Sequence, residues 1–418
     1  MKQPESTASQ VKGSVIDIRP FKVTIPQSEL DELKRRILAT RFPERETVND
    51  ISQGIQLSTI EELAKFWANE YDWRKVETKL NSYPNFLTEI NGVDIHFIHA
   101  RSNHENARPI LLAHGWPGTI IEHLKIIDPL INPTAYGGNE SDAFHVVLPS
   151  FPGYGFSGKP TTTGWDPGQI AVAWATLMNR LGYDRYFLHG TDWGAITVDL
   201  LAAQFPENII GLHSNMPGVV PDNIHQASAT GAPVPAGLTQ EEQRAYEQLS
   251  KAYKNVHYAY YLASRPQALA GLIDSPIGLA AFLLDPITAL FYPPATELFQ
   301  NADNEKPDAR LFSVYDEGLS RNDLLDIITL FWFTKSGVSA SRIYWENKFP
   351  FFTPKGVKVP TAVSVFPGEL YQAPKSWSEQ AYPNLVYYRQ EEKGAHFPSW
   401  ERPQRIIDAL RTGFRTLR

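Results

Sequence analysis

The chain has 418 residues, 42% hydrophobic and 20% charged, with a formal net charge of −7 and no cysteine. This is ordinary globular composition and long enough to bury a large core; without a basic run it argues against nucleic acid or an anionic membrane as partner, and without cysteine it offers neither a disulfide framework nor a thiolate metal site. The start, Met1-Lys2-Gln3-Pro4-Glu5-Ser6, lacks the apolar core of a signal peptide, and the most apolar stretch, Gly278 to Tyr292, is interrupted by Asp285-Pro286 before reaching the ~18 residues of a membrane span, so a cytoplasmic chain with no membrane anchor is expected.

In chain order, Ser28 to Leu38 places Leu30, Leu33 and Ile37 at helical spacing, and Ser58 with Glu61 reads as a capping box for a helix through Trp67. Asn91-Gly92 joins two alternating runs, Phe86 to Ile90 and Val93 to Ile98, which predicts a hairpin opening a sheet. Pro109 to Ala113 reads as a buried strand entering the turn His114-Gly115-Trp116-Pro117-Gly118. Phe144 to Leu148 is a second, entering the glycine-rich turn Pro149 to Ser157. Between them Asn139-Glu140-Ser141 fits a glycosylation sequon, silent without a secretory signal. Tyr186-Phe187-Leu188 runs into His189-Gly190-Thr191-Asp192-Trp193-Gly194 and a helical pattern, and a further strand covers Ile209 to Leu212.

Strand–helix alternation to about Met216 signals a mostly parallel sheet covered on both faces. Residues 218–347 break that rhythm with proline-punctuated helical patterns, predicting a helical cap over the strand ends, with the small and Pro-rich Ala227 to Gly237 as its flexible entry. Alternation resumes at Val357, with strands Thr361 to Phe366 and Leu385 to Tyr388, and closes on an amphipathic helix, Gln404 to Leu417. The expected organisation is an N-terminal segment 1–85, a core in two parts, 86–217 and 348–418, and a cap 218–347, with no internal repeat.

The chemistry centres on Gly190-Thr191-Asp192-Trp193-Gly194. A sharp strand-to-helix turn that exposes a nucleophile needs small residues two positions either side of it, and the two glycines supply them; in an α/β-hydrolase that position normally carries serine. A serine displacing a leaving group at saturated carbon would end as an inert ether, whereas a carboxylate ends as an ester that water can cleave at its own carbonyl. The competing reading of Asp192 is a helix N-cap. An oxyanion hole would take one backbone N–H from Trp116 and one from Trp193. The base is His396, in Lys393-Gly394-Ala395-His396-Phe397, and its acid is Glu369, after the strand ending in Phe366-Pro367-Gly368. Glu391 and Glu392 read as solvent-facing, and the alternative acid position after Leu212 holds only Ser214, Asn215 and Met216.

These motifs, with Gly153-Tyr154-Gly155-Phe156-Ser157, Arg41-Phe42-Pro43, Tyr71-Asp72-Trp73-Arg74 and Asp274 to Ala281, resemble the microsomal-type epoxide hydrolase family over nearly the whole chain, as a soluble member like those of fungi and bacteria. The resemblance implies an α/β-hydrolase fold with a mostly parallel central sheet, a helical cap and an N-terminal meander over 1–85. It implies epoxide opening to a vicinal diol through a hydroxyalkyl ester, in detoxification or aromatic hydrocarbon catabolism. No cofactor or metal is implied; the partners are a small hydrophobic epoxide and water, with a homodimer as a family-level expectation. Two cap tyrosines would donate to the epoxide oxygen: Tyr344, in Arg342-Ile343-Tyr344-Trp345-Glu346-Asn347, and Tyr258, seven residues before Arg265-Pro266. Near Tyr258, Tyr253 and Tyr260 are read as one helical face, and Tyr261 as one turn on. Which of Phe282, Phe291, Tyr292, Phe331, Trp332 and Phe333 line the pocket stays open. Two other readings remain: a haloalkane dehalogenase with the same triad, and a non-catalytic ligand-binding homologue.

Overall fold

Parallel strands with helices on both faces need apolar runs rather than alternation, and the chain supplies them. In the computed structural model, which describes residues 17–287, 290 and 319–418, nine strands form one sheet: β1 (Ile18–Phe21), β2 (Asn85–Ile90), β3 (Val93–Ala100), β4 (Arg108–Ala113), β5 (Phe144–Pro149), β6 (Tyr186–Gly190), β7 (Ile209–Ser214), β8 (Thr361–Val365) and β9 (Leu385–Gln390). Their order is β1-β2-β3-β5-β4-β6-β7-β8-β9, antiparallel from β1 to β5 and parallel from there on. β6 lies in the middle of the parallel part, between β4 and β7, and all five of its residues are buried.

The predicted hairpin forms, with Ile90 opposite Val93 and the turn residues Asn91 and Gly92 at φ 51° and 78°. It does not open the sheet, because β1 pairs outside it, Ile18 to Thr88 through Phe21 to Asn85. Four residues interrupted by Pro20 carry no periodic signal, and an edge strand tolerates that proline. The Ser58–Glu61 capping box does not form either. The helix Leu57–Asn69 starts two residues earlier than a Ser58 cap would place it, and the Leu57 N–H is taken by the Glu46 carboxylate at 3.1 Å, so a tertiary partner replaces the local cap. At the other end of the chain the last helix stops at Gly413, and only a 3₁₀ turn, Arg415–Leu417, follows.

Between β7 and β8 lie the helices Asp222–Thr230, Gln240–Asn255, His257–Ser264, Pro276–Pro286, Arg321–Phe333 and Arg342–Glu346. The expected flexible entry is partly ordered: Ala227 to Thr230 complete the first of these helices, which Gly231 ends at φ 70°. Of the cap aromatics, Phe282 meets Trp116 edge-on, whereas Phe331 packs on Tyr154, Trp332 lies under the Arg36 guanidinium and Phe333 packs on Trp73. Phe291 and Tyr292 fall outside the described residues. Among the described residues no helix is long and apolar enough to cross a membrane.

The hairpin turn isolates a backbone effect, because a Cβ on Gly92 would meet no heavy atom within 4 Å. Gly92→Ala should therefore cost about 1–2 kcal/mol through its left-handed backbone alone, read as a lower urea midpoint with unchanged turnover; unchanged stability would contradict the turn geometry.

Candidate active site

Asp192 takes φ 49° and ψ −125°, a conformation that L-residues avoid. The turn is tight enough that a Cβ on Gly190 would stand 2.5 Å from the Gly194 carbonyl oxygen, and one on Gly194 would run into the backbone of Ala113 and His114. Both glycines are required by backbone contact. The Asp192 side chain makes no capping bond to the helix Trp193–Gln204 that follows, which disposes of the N-cap reading. Its carboxylate instead lies over Gly115, where any Cβ would collide with it.

The backbone N–H of Trp116 donates to Asp192 Oδ1 at 2.7 Å, and the Trp193 N–H favours the ionised form of the same carboxylate. Both groups named from the sequence thus reach one carboxyl. His114 braces the Trp116 loop: its Nδ1 lies 3.1 Å from the Gly115 carbonyl, and its Nε2 accepts the Phe151 N–H at 3.2 Å. Burial holds this imidazole down at about 4, so it is neutral and acts as a strut.

His396 Nε2 stands 3.6 Å from Asp192 Oδ2, and its Nδ1 is 2.8 Å from Glu369 Oε1. All three side chains are buried. The acid and base loops are joined by a Gly368 N–H to Gly394 carbonyl bond of 3.0 Å, and Glu369 Oε1 also accepts the Leu370 N–H at 2.8 Å. Glu391 is not solvent-facing as expected: its buried carboxylate lies 3.1 Å from Arg389 and 3.7 Å from Arg405, whose guanidiniums compensate the burial of its charge.

Burial raises the Asp192 carboxyl above its ordinary range, opposed by His396 and the two N–H donors. Burial disfavours the charged form of His396, but the adjacent carboxylates of Glu369 and Asp192 outweigh it and push the imidazole up to about 9. The two flanking acids thus favour the protonated imidazole.

Tyr258 and Tyr344 are brought together over this group. The Tyr258 ring stacks on Trp116 with centroids 5.0 Å apart, the Tyr344 ring meets Trp193 edge-on at 4.8 Å, and the two tyrosine rings are 6.1 Å apart. Burial, with Asp192 nearby, raises both phenols far above their ordinary range, so both keep a proton to donate. The expected common face of Tyr253 and Tyr260 does not exist, because the helix breaks at Val256. Tyr253 belongs to the preceding helix and bonds His225 at 2.7 Å, while Tyr260 and Tyr261 are 54% and 43% exposed. Tyr258 is the member of that crowded segment that faces Asp192.

Sequence reasoning missed Glu122. It sits in the 3₁₀ turn Ile120–His123, fully packed, and its Oε1 accepts the hydroxyl of Thr191, the residue before Asp192. Burial pushes it up to about 8. A glutamate opening a helical turn looks solvated in sequence, and only the fold folds it inward. Among the described residues no group of three or more His, Asp or Glu is arranged to hold a metal.

Comparison with known proteins gives matches along the chain. Residues 18–123 match the epoxide hydrolase N-terminus family, and residues 108–262 match the alpha/beta hydrolase fold family. The chain is 45% identical over 404 residues to a putative epoxide hydrolase of Stigmatella aurantiaca, covering 96% of this chain and 86% of the relative. It is 32% identical over 409 residues to epoxide hydrolase 1 of Oryctolagus cuniculus, covering 93% and 86%. In structure it is similar to the juvenile hormone epoxide hydrolase of the silkworm Bombyx mori, with a TM-score of 0.83, 30% identity, and coverage of 96% and 95%. It is also similar to the Aspergillus niger epoxide hydrolase, with a TM-score of 0.78, 27% identity, and coverage of 96% and 97%.

The two-carboxylate environment of His396 can be checked by titration. Replacing Asp192 by Asn removes one of the charges that raise it, so the imidazole resonance should titrate clearly below the value of about 9 of the parent enzyme; an identical midpoint would mean that Asp192 does not face His396.

Proposed function

The chain belongs to the epoxide hydrolases, which open epoxides to diols with water, and from that membership we propose that Asp192 is the nucleophile, His396 the water-activating base, Glu369 its orienting acid and Tyr258 and Tyr344 the acids. The observation that carries this reading is the line Glu369–His396–Asp192, at 2.8 and 3.6 Å, with His396 on one oxygen of Asp192 and the Trp116 N–H on the other.

Because Oδ1 is held by the Trp116 N–H, Oδ2 is the oxygen free to attack a ring carbon. As the C–O bond of the oxirane breaks, the charge left on its oxygen is met by a phenolic proton from Tyr258 or Tyr344, in a pocket walled by Trp116, Trp193 and Phe282. The product of this step is a 2-hydroxyalkyl ester of Asp192.

Esterification discharges Asp192. One of the two carboxylates that kept His396 protonated is then gone, so the imidazole releases its proton, restoring the phenol, and becomes a base. It takes a proton from water, the hydroxide adds to the ester carbonyl, and the N–H groups of Trp116 and Trp193 hold the oxyanion until the diol leaves. The same triad would serve haloalkane dehalogenation. Two protonated phenols facing the nucleophile suit a leaving alkoxide, which must gain a proton, better than a halide, which need not. A hydrophobic epoxide fits the aromatic wall.

Two outcomes test these assignments. In a single turnover in ¹⁸O-water the label should appear in the Asp192 carboxylate and not in the diol; label in the diol would show direct attack of water on the ring. Tyr344→Phe and Tyr258→Phe should each slow ring opening by roughly 10- to 100-fold, with the second phenol still present, and the double variant by far more; full activity of the double variant would remove both tyrosines from the mechanism.

A further inference from the structure

The water-activating step depends on where the His396 imidazole is held, yet His396 lies on a loop with no strand or long helix of its own. What fixes it is the single turn Pro398–Glu401 that follows. Glu401, 4% exposed, folds back so that one carboxylate oxygen accepts the Ala395 N–H at 3.0 Å and the other the Phe397 N–H at 2.9 Å. These are the two amides on either side of His396. One carboxylate thereby clamps the chain on both sides of His396, at the peptide that follows it and at the one before Ala395, with charge-assisted bonds in a buried setting.

The same turn is tied to the nucleophile. Ser399, 1% exposed, places its hydroxyl 3.1 Å from Nε2 of His189, three residues before Asp192 on β6. His189 Nδ1 lies 2.9 Å from His213 Nδ1 on β7, and His213 Nε2 lies 3.0 Å from Ser364 Oγ on β8, the strand that leads to Glu369. Burial holds both imidazoles well below their ordinary range, His189 at about 4, and keeps them neutral. A continuous buried chain of four side chains therefore links the three elements that carry nucleophile, acid and base. None of the four touches the reacting atoms.

We propose that Glu401 and Ser399 are positioning residues for His396: Glu401 fixes the loop around the imidazole, and Ser399, through His189, sets its distance from Asp192. This rests on the reading of Asp192 as nucleophile and His396 as base. A structural role alone would lower stability and slow both halves of turnover alike. A positioning role falls on ester hydrolysis, where His396 must hold a water against the ester carbonyl, and spares ester formation, where Asp192 and the phenols act.

The test is rapid-quench intact mass during turnover of styrene oxide, reading ester formation and ester decay separately in the full chain. Glu401→Gln and Ser399→Ala should form the Asp192 ester within about twofold of the parent rate and hydrolyse it roughly tenfold more slowly, so that ester accumulates. Ser399→Thr, which keeps the hydroxyl, should recover most of the loss. Ser378→Ala is the control, as a buried serine whose hydroxyl only bonds Pro374 at 3.0 Å, and should leave both rates unchanged. If Glu401→Gln fails to fold, Ser399→Ala and its threonine rescue decide. Equal slowing of both steps, wild-type decay in both variants, or the same effect in Ser378→Ala would overturn the proposal. Absence of any ester in the parent enzyme would instead overturn the Asp192 reading on which it stands.

Discussion

Two carboxylates and an imidazole share one buried site, and their mutual electrostatics govern the rest. Alone, a buried carboxylate would take up a proton, and a buried imidazole would lose one. Together, Asp192 and Glu369 hold His396 charged, while His396 and two backbone N–H groups keep Asp192 able to ionise. Glu122, buried close by, is itself pushed up to about 8 by that burial, and its charged form would add to the carboxylates that favour a protonated His396. The arrangement is stable only as a set. In the proposed mechanism, forming the ester removes one member, and the change this forces on His396 turns it into a base at the moment when water must be activated.

That set can exist only if three chain segments meet within hydrogen-bonding distance at the strand ends. The sheet provides this by ordering β6, β7, β8 and β9 side by side, with Asp192 after β6, Glu369 after β8 and His396 after β9. The elbow then lifts Asp192 off β6 with a strained backbone, in a turn so tight that only glycine fits at 190 and 194. The cap closes the other side with Tyr258 stacked on Trp116 and Tyr344 edge-on to Trp193, so that the residues whose N–H groups are proposed to hold the oxyanion also orient the phenols.

Much of this is legible in the amino-acid sequence because the signals are local. Buried parallel strands leave apolar runs such as Ile110-Leu111-Leu112, the elbow demands glycines at fixed offsets, and Asn91-Gly92 is a turn on its own chemistry. What is not legible depends on partners far along the chain. β1 has no pattern and exists by pairing with β2; the helix at Leu57 is capped by Glu46 rather than by Ser58; Glu391 looks solvated yet is buried between Arg389 and Arg405. Tyr253 and Tyr260 seemed to share a face because periodicity does not see the break at Val256. Glu122, Ser399 and Glu401 are in the same class: polar residues in short turns, given their roles only by burial against the site.

The central claim, a covalent ester on Asp192 cleared by His396, is tested most directly by intact mass of His396→Gln after exposure, in parallel, to styrene oxide and to a 1-haloalkane, with Asp192→Ala as control. The account predicts a gain equal to the whole epoxide, absent from the control and absent with the haloalkane. Gain of an alkyl group without its halogen would move the chemistry to dehalogenation, and an epoxide adduct persisting in Asp192→Ala would contradict the assignment of the nucleophile.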